Sequence, residues 1–132
     1  MIAASRILLV EDTLELREDL KFVLEDSGYT VMEAESGQAA LSAFREARPD
    51  LVVCDIQLPD TDGLFVLKSI RTCQSGCDQI PVIVVSAFSD PKLRREAEAL
   101  GIDGFILKPV DYSDLLKLIS QSLPNSAAIS ET

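Results

Sequence analysis

The chain has 132 residues, of which 47% are hydrophobic and 26% are charged. This length and composition are typical of one globular domain with its own core, and they argue against a disordered chain or two domains. The net charge of −10 argues against direct binding of this domain to nucleic acid. Because no apolar run is long enough to span a membrane and residues 2–10 do not resemble a signal peptide, we expect a cytoplasmic protein without membrane contact.

Strand and helix patterns alternate along the chain, beginning with an apolar strand at Ile7–Val10 that ends at Glu11 and Asp12. The helix that follows has an apolar stripe made of Leu16, Leu20, Val23 and Leu24. Gly28 is expected to end this helix. The second strand, Tyr29–Glu33, contains more polar residues, which indicates a position near the edge of the sheet.

The next helix is predicted to begin after the N-cap Ser36 and to end before Pro49. Its buried side chains are expected to be Ala40, Leu41, Phe44 and Ala47. The third strand, Leu51–Asp55, is an apolar run of the kind that is buried on both faces, and it ends on a carboxylate. A turn containing Pro59 follows at once. Asp55 is therefore the first candidate for a reactive residue.

The second half of the chain continues the alternation with a helix predicted at Gly63–Arg71. The fourth strand, Pro81–Val85, ends at Ser86. Asp90 followed by Pro91 is a strong signal for the start of the fourth helix, and Gly101 is expected to end it.

The fifth strand, Gly104–Leu107, is followed directly by Lys108. The last helix is predicted to begin after Asp111, which resembles the first residue of a capping box. We expect residues 1–124 to form one domain and residues 125–132 to be a flexible tail or the start of a linker.

Five strands separated by helices predict right-handed crossover connections and one parallel sheet covered on both faces. The expected fold is α/β and doubly wound, with strand order 2-1-3-4-5 as in flavodoxin-like proteins.

Polar side chains follow four neighbouring strands of this predicted sheet, namely Glu11, Asp12, Asp55, Ser86 and Lys108. Because parallel strands end at the same edge of a sheet, these side chains are expected to meet in one crevice. Grouped carboxylates repel one another, and an all-oxygen ligand set of this kind suits Mg²⁺. A cation, a lysine, a hydroxyl and a carboxylate nucleophile together suit acceptance of a phosphoryl group as an aspartyl phosphate.

Taken singly, these residues have ordinary explanations. Asp12 is a common kind of helix N-cap, Asp55 is a common turn residue, and Lys108 is a typical solvated loop lysine. Their joint placement after four adjacent strands is what those explanations do not account for.

Four segments of the chain resemble the response-regulator receiver domains of bacterial two-component systems, and the similarity extends over about residues 5–123. The segments are residues 7–12, 55–63, 84–87 and 101–109. The resemblance implies that Asp55 is the phosphoacceptor and that Asp12 and Asp55 ligate Mg²⁺, with Mn²⁺ as an alternative ion. It also implies that Glu11 ligates the ion mostly through water and that the backbone carbonyl of Gln57 is a further ligand.

The resemblance assigns roles to the ends of the last two strands as well. Ser86, Lys108 and the backbone N–H of Ala87 are expected to contact the phosphoryl group. Phe105 corresponds to the aromatic switch residue of the family, acting together with Ser86. The Lys108–Pro109 peptide is expected to be cis.

Several positions differ from the commonest family pattern. Glu11 replaces a more frequent Asp, Leu58 replaces a frequent Met, and Thr61 replaces an apolar residue. Phe105 lacks the hydroxyl of the more usual Tyr, which is expected to weaken one end state of the switch. None of these differences removes a residue needed for phosphorylation.

The resemblance further implies a histidine kinase or histidine phosphotransfer domain as the phosphodonor, docking beside the first helix. A downstream effector protein or domain would read the surface formed by helix 4, strand 5 and helix 5, and a phosphorylation-dependent homodimer is an open alternative. Lys92, Arg94 and Arg95 make that surface a candidate for docking, although a solvated helix face would look the same.

Two other functions compete with a signalling phosphoacceptor. A haloacid-dehalogenase-like phosphatase would use the same nucleophile, but it needs a general acid two residues later, where this chain has Gln57. A flavin- or nucleotide-binding module would need a glycine-rich phosphate loop after the first strand, which this chain lacks. We therefore expect no enzymatic turnover of external substrates.

The three cysteines carry little functional signal. Cys54 lies in a predicted buried strand, where a thiol acts as a small hydrophobe. Cys73 and Cys77 are not spaced as C-x-x-C, and a chain without histidine offers too few ligands for zinc. We interpret this pair as free thiols, with a redox role left open.

Overall fold

The structure, a computed structural model, describes residues 4–61, 63–72, 80–87 and 90–123. The five strands are β1 Arg6–Val10, β2 Thr30–Ala34, β3 Leu51–Asp55, β4 Val82–Ser86 and β5 Gly104–Leu107. The five helices are α1 Leu14–Asp26, α2 Gly37–Glu46, α3 Gly63–Arg71, α4 Pro91–Ala99 and α5 Tyr112–Ser122. Asp62, Cys73, Cys77 and the predicted tail at residues 125–132 lie outside the described residues.

All pairs of neighbouring strands are parallel, and their order is β2-β1-β3-β4-β5. The predicted fold class and strand order are therefore confirmed. β2 lies at an edge of the sheet, as its polar sequence indicated, and β5 lies at the other edge. The central strands β3 and β4 are buried along their whole length, which explains why they are continuous apolar runs.

The core consists of two layers, one on each face of the sheet. Helices α2, α3 and α4 cover one face and contribute residues such as Phe44, Leu67 and Ala97 to its cluster. Helices α1 and α5 cover the opposite face, where Leu20 and Ile119 are buried. Alternate residues of each strand supply the two clusters, because successive side chains of a strand point to opposite faces. Within the described ranges, none of the helices combines the length and the apolar content needed to cross a bilayer.

The predicted helix ends agree with the local geometry at most positions. The hydroxyl of Ser36 accepts a hydrogen bond from the N–H of Ala39 at 3.1 Å, and Asp90 and Asp111 cap α4 and α5 in the same way. Gly28 and Gly101 both have positive φ, 100° and 81°, just after helices that they were expected to end.

Several local expectations were wrong. Strand β2 runs from Thr30 to Ala34 rather than from Tyr29 to Glu33, and Leu41 of α2 is half-buried rather than buried. Ala47 is the half-buried C-cap of α2 rather than a buried residue within the helix. β4 begins at Val82 rather than at Pro81, which is consistent with the lack of a backbone N–H in proline.

Candidate phosphoacceptor site

The carboxyl ends of β1, β3, β4 and β5 lie side by side at one edge of the sheet. In the register, Val10 is opposite Cys54, Asp55 is opposite Val85, and Ser86 is opposite Leu107. Residues that end or follow these strands are therefore neighbours in space, although they are far apart in sequence. This parallel register gathers the candidate residues into one site.

Three carboxylates meet at this edge. One oxygen atom from each of Glu11, Asp12 and Asp55 lies within 4.8 Å of the other two. Glu11 and Asp55 are only 1% and 3% exposed, whereas Asp12 is exposed to solvent. The cluster thus has a buried side and a side open to solvent.

Lys108 bridges the two buried carboxylates. Its Nζ lies 2.7 Å from Asp55 Oδ2 and 3.1 Å from Glu11 Oε1. The backbone N–H of Lys108 donates to the carbonyl of Ser86 at 2.9 Å, and the Lys108–Pro109 peptide is cis. The lysine is therefore held to the end of β4 by its backbone and to the carboxylates by its side chain.

The remaining oxygens of the two buried carboxylates bind backbone amides. Gln57 N–H donates to Asp55 Oδ1 at 2.8 Å, and Thr13 N–H donates to Glu11 Oε2 at 3.0 Å. Each buried acid thus has one oxygen held by the backbone and the other paired with Lys108. These contacts fix the orientation of both carboxylates.

The pKa values of Glu11 and Lys108 are both raised, but for different reasons. Burial raises the pKa of the Glu11 carboxyl, and the hydrogen bonds from Thr13 and Lys108 offset only part of that effect. Burial by itself would lower the pKa of Lys108, but its hydrogen bonds and ion pairs with Asp55 and Glu11 outweigh burial and raise that pKa. An ion pair alone would lower the pKa of the acid, so burial is the dominant influence on Glu11.

The donor set fits a divalent cation with oxygen ligands. Two buried carboxylates and one exposed carboxylate converge, and Lys108 is the one cation that the described ion pairs bring to them. Three acids with one lysine leave an excess of negative charge, which a divalent ion would compensate.

The other predicted site residues occupy different depths. The side chain of Ser86 is fully buried at the end of β4, and Ala87 beyond it is exposed. The Gln57 side chain is also exposed, so this residue reaches Asp55 through its backbone. Phe105 is half-buried in β5, where it packs against the core cluster on the α2–α3–α4 face rather than joining the carboxylate cluster.

The sequence reasoning missed Arg17, and it named Arg94 only as part of a docking surface, without its contact with Phe105. Arg17 of α1 donates to the backbone carbonyl of Glu11 at 2.8 Å and pairs with Glu33 of β2 at 3.3 Å. Arg94 of α4 places its guanidinium carbon 5.0 Å from the centre of the Phe105 ring. The only sequence signal for Arg17 was its position in the first turns of the helix that follows Glu11.

The thiol of Cys54 is buried beside Asp55 and donates a hydrogen bond to the Asp55 carbonyl at 3.2 Å. Burial raises the pKa of this thiol, with smaller contributions from the negative charges of Asp55 and Glu11. Cys54 therefore stays protonated and acts as a small core residue, in agreement with the expectation from its place in a buried strand.

Comparison with known proteins identifies the family. The family model of the response regulator receiver domain matches residues 7–120. The chemotaxis protein CheY of Bacillus subtilis strain 168 is 35% identical over 121 residues, which cover 91% of this chain and 98% of CheY. The transcriptional regulatory protein ZraR of Escherichia coli K12 is 32% identical, and the match covers 93% of this chain but only 27% of ZraR.

Solved structures agree with these sequence matches. A CheY-like receiver domain protein from Methanospirillum hungatei JF-1 superposes with a TM-score of 0.87 at 27% identity, covering 95% of this chain and 98% of that one. The chemotaxis response regulator CheY4 of Vibrio cholerae gives a TM-score of 0.83 at 29% identity, covering 91% and 99%. The chain belongs to the response regulator receiver domain family of two-component systems.

Proposed function

We propose that this receiver domain accepts a phosphoryl group on Asp55, from a histidine kinase or a histidine phosphotransfer domain, in the cytoplasm and with the help of Mg²⁺ or Mn²⁺. The observation that supports this most strongly is the meeting of Glu11, Asp12 and Asp55 with Lys108 at one edge of the sheet. In this proposal the domain is a signalling phosphoacceptor and does not turn over external substrates.

The metal would be held by the carboxylates of Asp12 and Asp55, by Glu11 mostly through water, and by the backbone carbonyl of Gln57. When bound there, it supplies positive charge that stabilises the transferring phosphoryl oxygens. The exposed position of Asp12 and the buried positions of Glu11 and Asp55 suit an ion that enters from solvent and keeps several of its waters.

In the transfer step, a carboxylate oxygen of Asp55 forms a bond to phosphorus while the bond from phosphorus to the donor nitrogen or oxygen breaks. The electron pair of that bond leaves with the donor, and no general base is needed because an ionised carboxylate is already a nucleophile. Lys108, which lies 2.7 Å from Asp55, pairs with the phosphoryl oxygens, while Ser86 and the N–H of Ala87 donate hydrogen bonds to them.

The signal would pass from Ser86 to Phe105 and then to the surface of α4, β5 and α5. Phosphorylation draws the Ser86 hydroxyl towards the phosphoryl group, and Phe105 moves into the space beside it. Because the Arg94 guanidinium lies over the Phe105 ring, a movement of Phe105 would alter a contact made by α4. A groove of about 520 Å³ between β5 and α5, lined in part by Phe105 and Leu107, is where we place the effector or a second phosphorylated copy.

The phosphodonor is proposed to dock beside α1. Leu14 and Phe22 of that helix are 57% and 70% exposed, so the helix offers apolar surface to a partner. Leu14 begins the helix that follows Asp12 and Thr13, so a partner bound there would bring its phosphohistidine close to Asp55.

The proposal is tested by incubating the chain with Mg²⁺ and acetyl phosphate and then measuring intact mass. We expect the mass of one added phosphoryl group in the wild type and in Asp19→Asn, an exposed acid on α1, but no addition in Asp55→Asn or when EDTA replaces Mg²⁺. Steady release of phosphate from unrelated monoesters would instead favour the phosphatase. An adduct that persists in Asp55→Asn would show that Asp55 is not the acceptor.

A further inference from the structure

We propose that Asp60 is a positioning residue that fastens the loop between β3 and α3 to the first turn of α2, and so holds the backbone of Gln57 in place for metal binding at Asp55. This inference rests on the proposed function, because it assigns a task to the loop that carries the proposed metal ligand. Asp60 itself touches neither the metal nor the phosphoryl group in this scheme.

Both carboxylate oxygens of Asp60 are used in the contact with α2. Gly37 N–H donates to Oδ1 at 2.8 Å, and Gln38 N–H donates to Oδ2 at 2.9 Å. The hydroxyl of Ser36, the N-cap of the same helix, accepts from the next amide, that of Ala39. An acid from a distant loop therefore satisfies amides at the start of α2, where helices leave donors without internal partners.

These amides also hold Asp60 in its charged form. The hydrogen bonds from Gln38 and Gly37 lower the pKa of Asp60. An acid near a helix N-terminus is further favoured by the helix dipole. The link between the loop and α2 is therefore charge-assisted at neutral pH.

A second contact, which involves no hydrogen bond, supports the same attachment. A Cβ atom placed on Gly37 would overlap the Cγ2 methyl of Thr61 and would lie 3.2 Å from Val66 Cγ2. The backbone of α2 thus approaches the loop as closely as a glycine allows. Thr61, one of the positions that differ from the usual family pattern, occupies the space that a side chain at position 37 would need.

The opposite end of the loop is held at the site itself. Gln57 N–H donates to Asp55 Oδ1 at 2.8 Å, so Leu58 and Pro59 are the only residues between Gln57 and the anchor at Asp60. On the side facing α4, the loop borders an open groove of about 490 Å³ that reaches Leu93. Leu58 also packs against the core cluster, and Asp60 is the residue that ties the loop to α2.

Releasing this anchor would leave the Gln57 peptide free to sample other orientations. Ordering it again would then have to accompany metal binding, which lowers the affinity for the ion. The Ser36 cap offers a matched comparison, because its loss weakens the same first turn of α2 without touching the loop.

The experiment compares Asp60→Ala, Asp60→Asn and Ser36→Ala with the wild type. Mg²⁺ affinity is measured by titration calorimetry, and hydrogen exchange of the Gln57 amide is measured by NMR in EDTA. We expect Asp60→Ala to weaken Mg²⁺ binding about tenfold and to speed exchange at Gln57 about fivefold. For both quantities, Asp60→Asn should give values between those of the wild type and Asp60→Ala, because its amide keeps one acceptor oxygen. Ser36→Ala should keep the wild-type Mg²⁺ affinity and exchange rate.

Unchanged exchange at Gln57 in Asp60→Ala would overturn the inference. The inference would also be overturned if Ser36→Ala changed Mg²⁺ affinity and Gln57 exchange as much as Asp60→Ala does, because the effect would then come from the stability of α2. If the wild type failed to bind Mg²⁺ or to accept a phosphoryl group, the proposed function would fail. The exchange measurement needs no ion, and it would still decide whether Asp60 holds the loop.

Discussion

The ammonium of Lys108 lies 2.7 Å from Asp55 Oδ2, and the same nitrogen is 3.1 Å from Glu11. One cation therefore bridges two carboxylates that are almost fully buried. The burial of these acids is tolerated because each also receives a hydrogen bond from a backbone amide. Stability and the proposed phosphoryl chemistry would therefore depend on the same few contacts.

Replacing Lys108 by Met should destabilise the protein, because it leaves Glu11 and Asp55 next to each other without their shared cation. We expect the free energy of unfolding in EDTA to fall by about 2 kcal/mol. Excess Mg²⁺ should restore part of this loss, because it supplies positive charge to the same acids. Urea denaturation followed by circular dichroism measures both effects, and Lys117→Met on α5 is the control. An unchanged midpoint in Lys108→Met would contradict the bridging role.

The raised pKa of Glu11 predicts a pH dependence of stability. A carboxyl whose pKa is higher in the folded state binds protons more tightly there, so this group favours folding at low pH and loses that contribution as pH rises through the folded pKa. In EDTA, the unfolding free energy attributable to Glu11 should therefore decrease from roughly pH 4.3 upward. Glu11→Gln should remove this part of the pH profile. If the wild type and Glu11→Gln had the same pH profile of stability, Glu11 would not be the source of this pH dependence.

The contact between Arg94 and Phe105 should contribute modestly to stability. The guanidinium lies over a half-buried ring, and Arg94 also pairs with Glu98 at 3.4 Å on an exposed helix face. We expect Arg94→Met to lower the unfolding free energy by about 0.5–1 kcal/mol and to shift the NMR signals of the Phe105 ring. Glu98→Gln removes the ion pair but keeps the ring contact, so it should leave the NMR signals of the Phe105 ring unchanged. Equal effects in both variants would assign the stability to the ion pair.

Arg71 should be among the more important surface residues for stability. Its guanidinium donates to the carbonyls of Ile80, Leu100 and Gly101, each at 2.8 Å, and it thereby joins the end of α3 to the end of α4. We expect Arg71→Met to cost about 3 kcal/mol in urea denaturation. Arg71→Lys should recover only part of this, since an ammonium lacks the planar fork of a guanidinium. Arg45→Met, in the last turn of α2, is the control and should be nearly neutral.

Much of the fold could be predicted because its signals are local. Apolar runs such as Leu51–Asp55, caps such as Ser36 and terminating glycines such as Gly28 each act within a few residues. The failure at Ala47 concerns a helix end, where one residue changes the assignment. The convergence of Asp55 and Lys108 could also be predicted, because neighbouring parallel strands bring their carboxyl ends together.

The partners of long or distant side chains could not be predicted in this way. Arg17, Asp60 and Arg71 each bind backbone atoms of other elements, and Asp60 reaches amides 22 and 23 residues away. Spacing along the chain carries no signal for such contacts. They depend on which loops and helices pack side by side.

Hydrophobic periodicity and capping are properties of neighbouring residues, so the order and type of the elements could be predicted from the chain alone. The strand order and the set of residues at the carboxyl edge then followed from the doubly wound arrangement. How those residues pair depends on the assembled fold. It gave Lys108 to both Glu11 and Asp55, placed Arg94 on Phe105 and attached Asp60 to α2. These pairings follow from distances between elements, which exist only once the sheet and its helices are assembled.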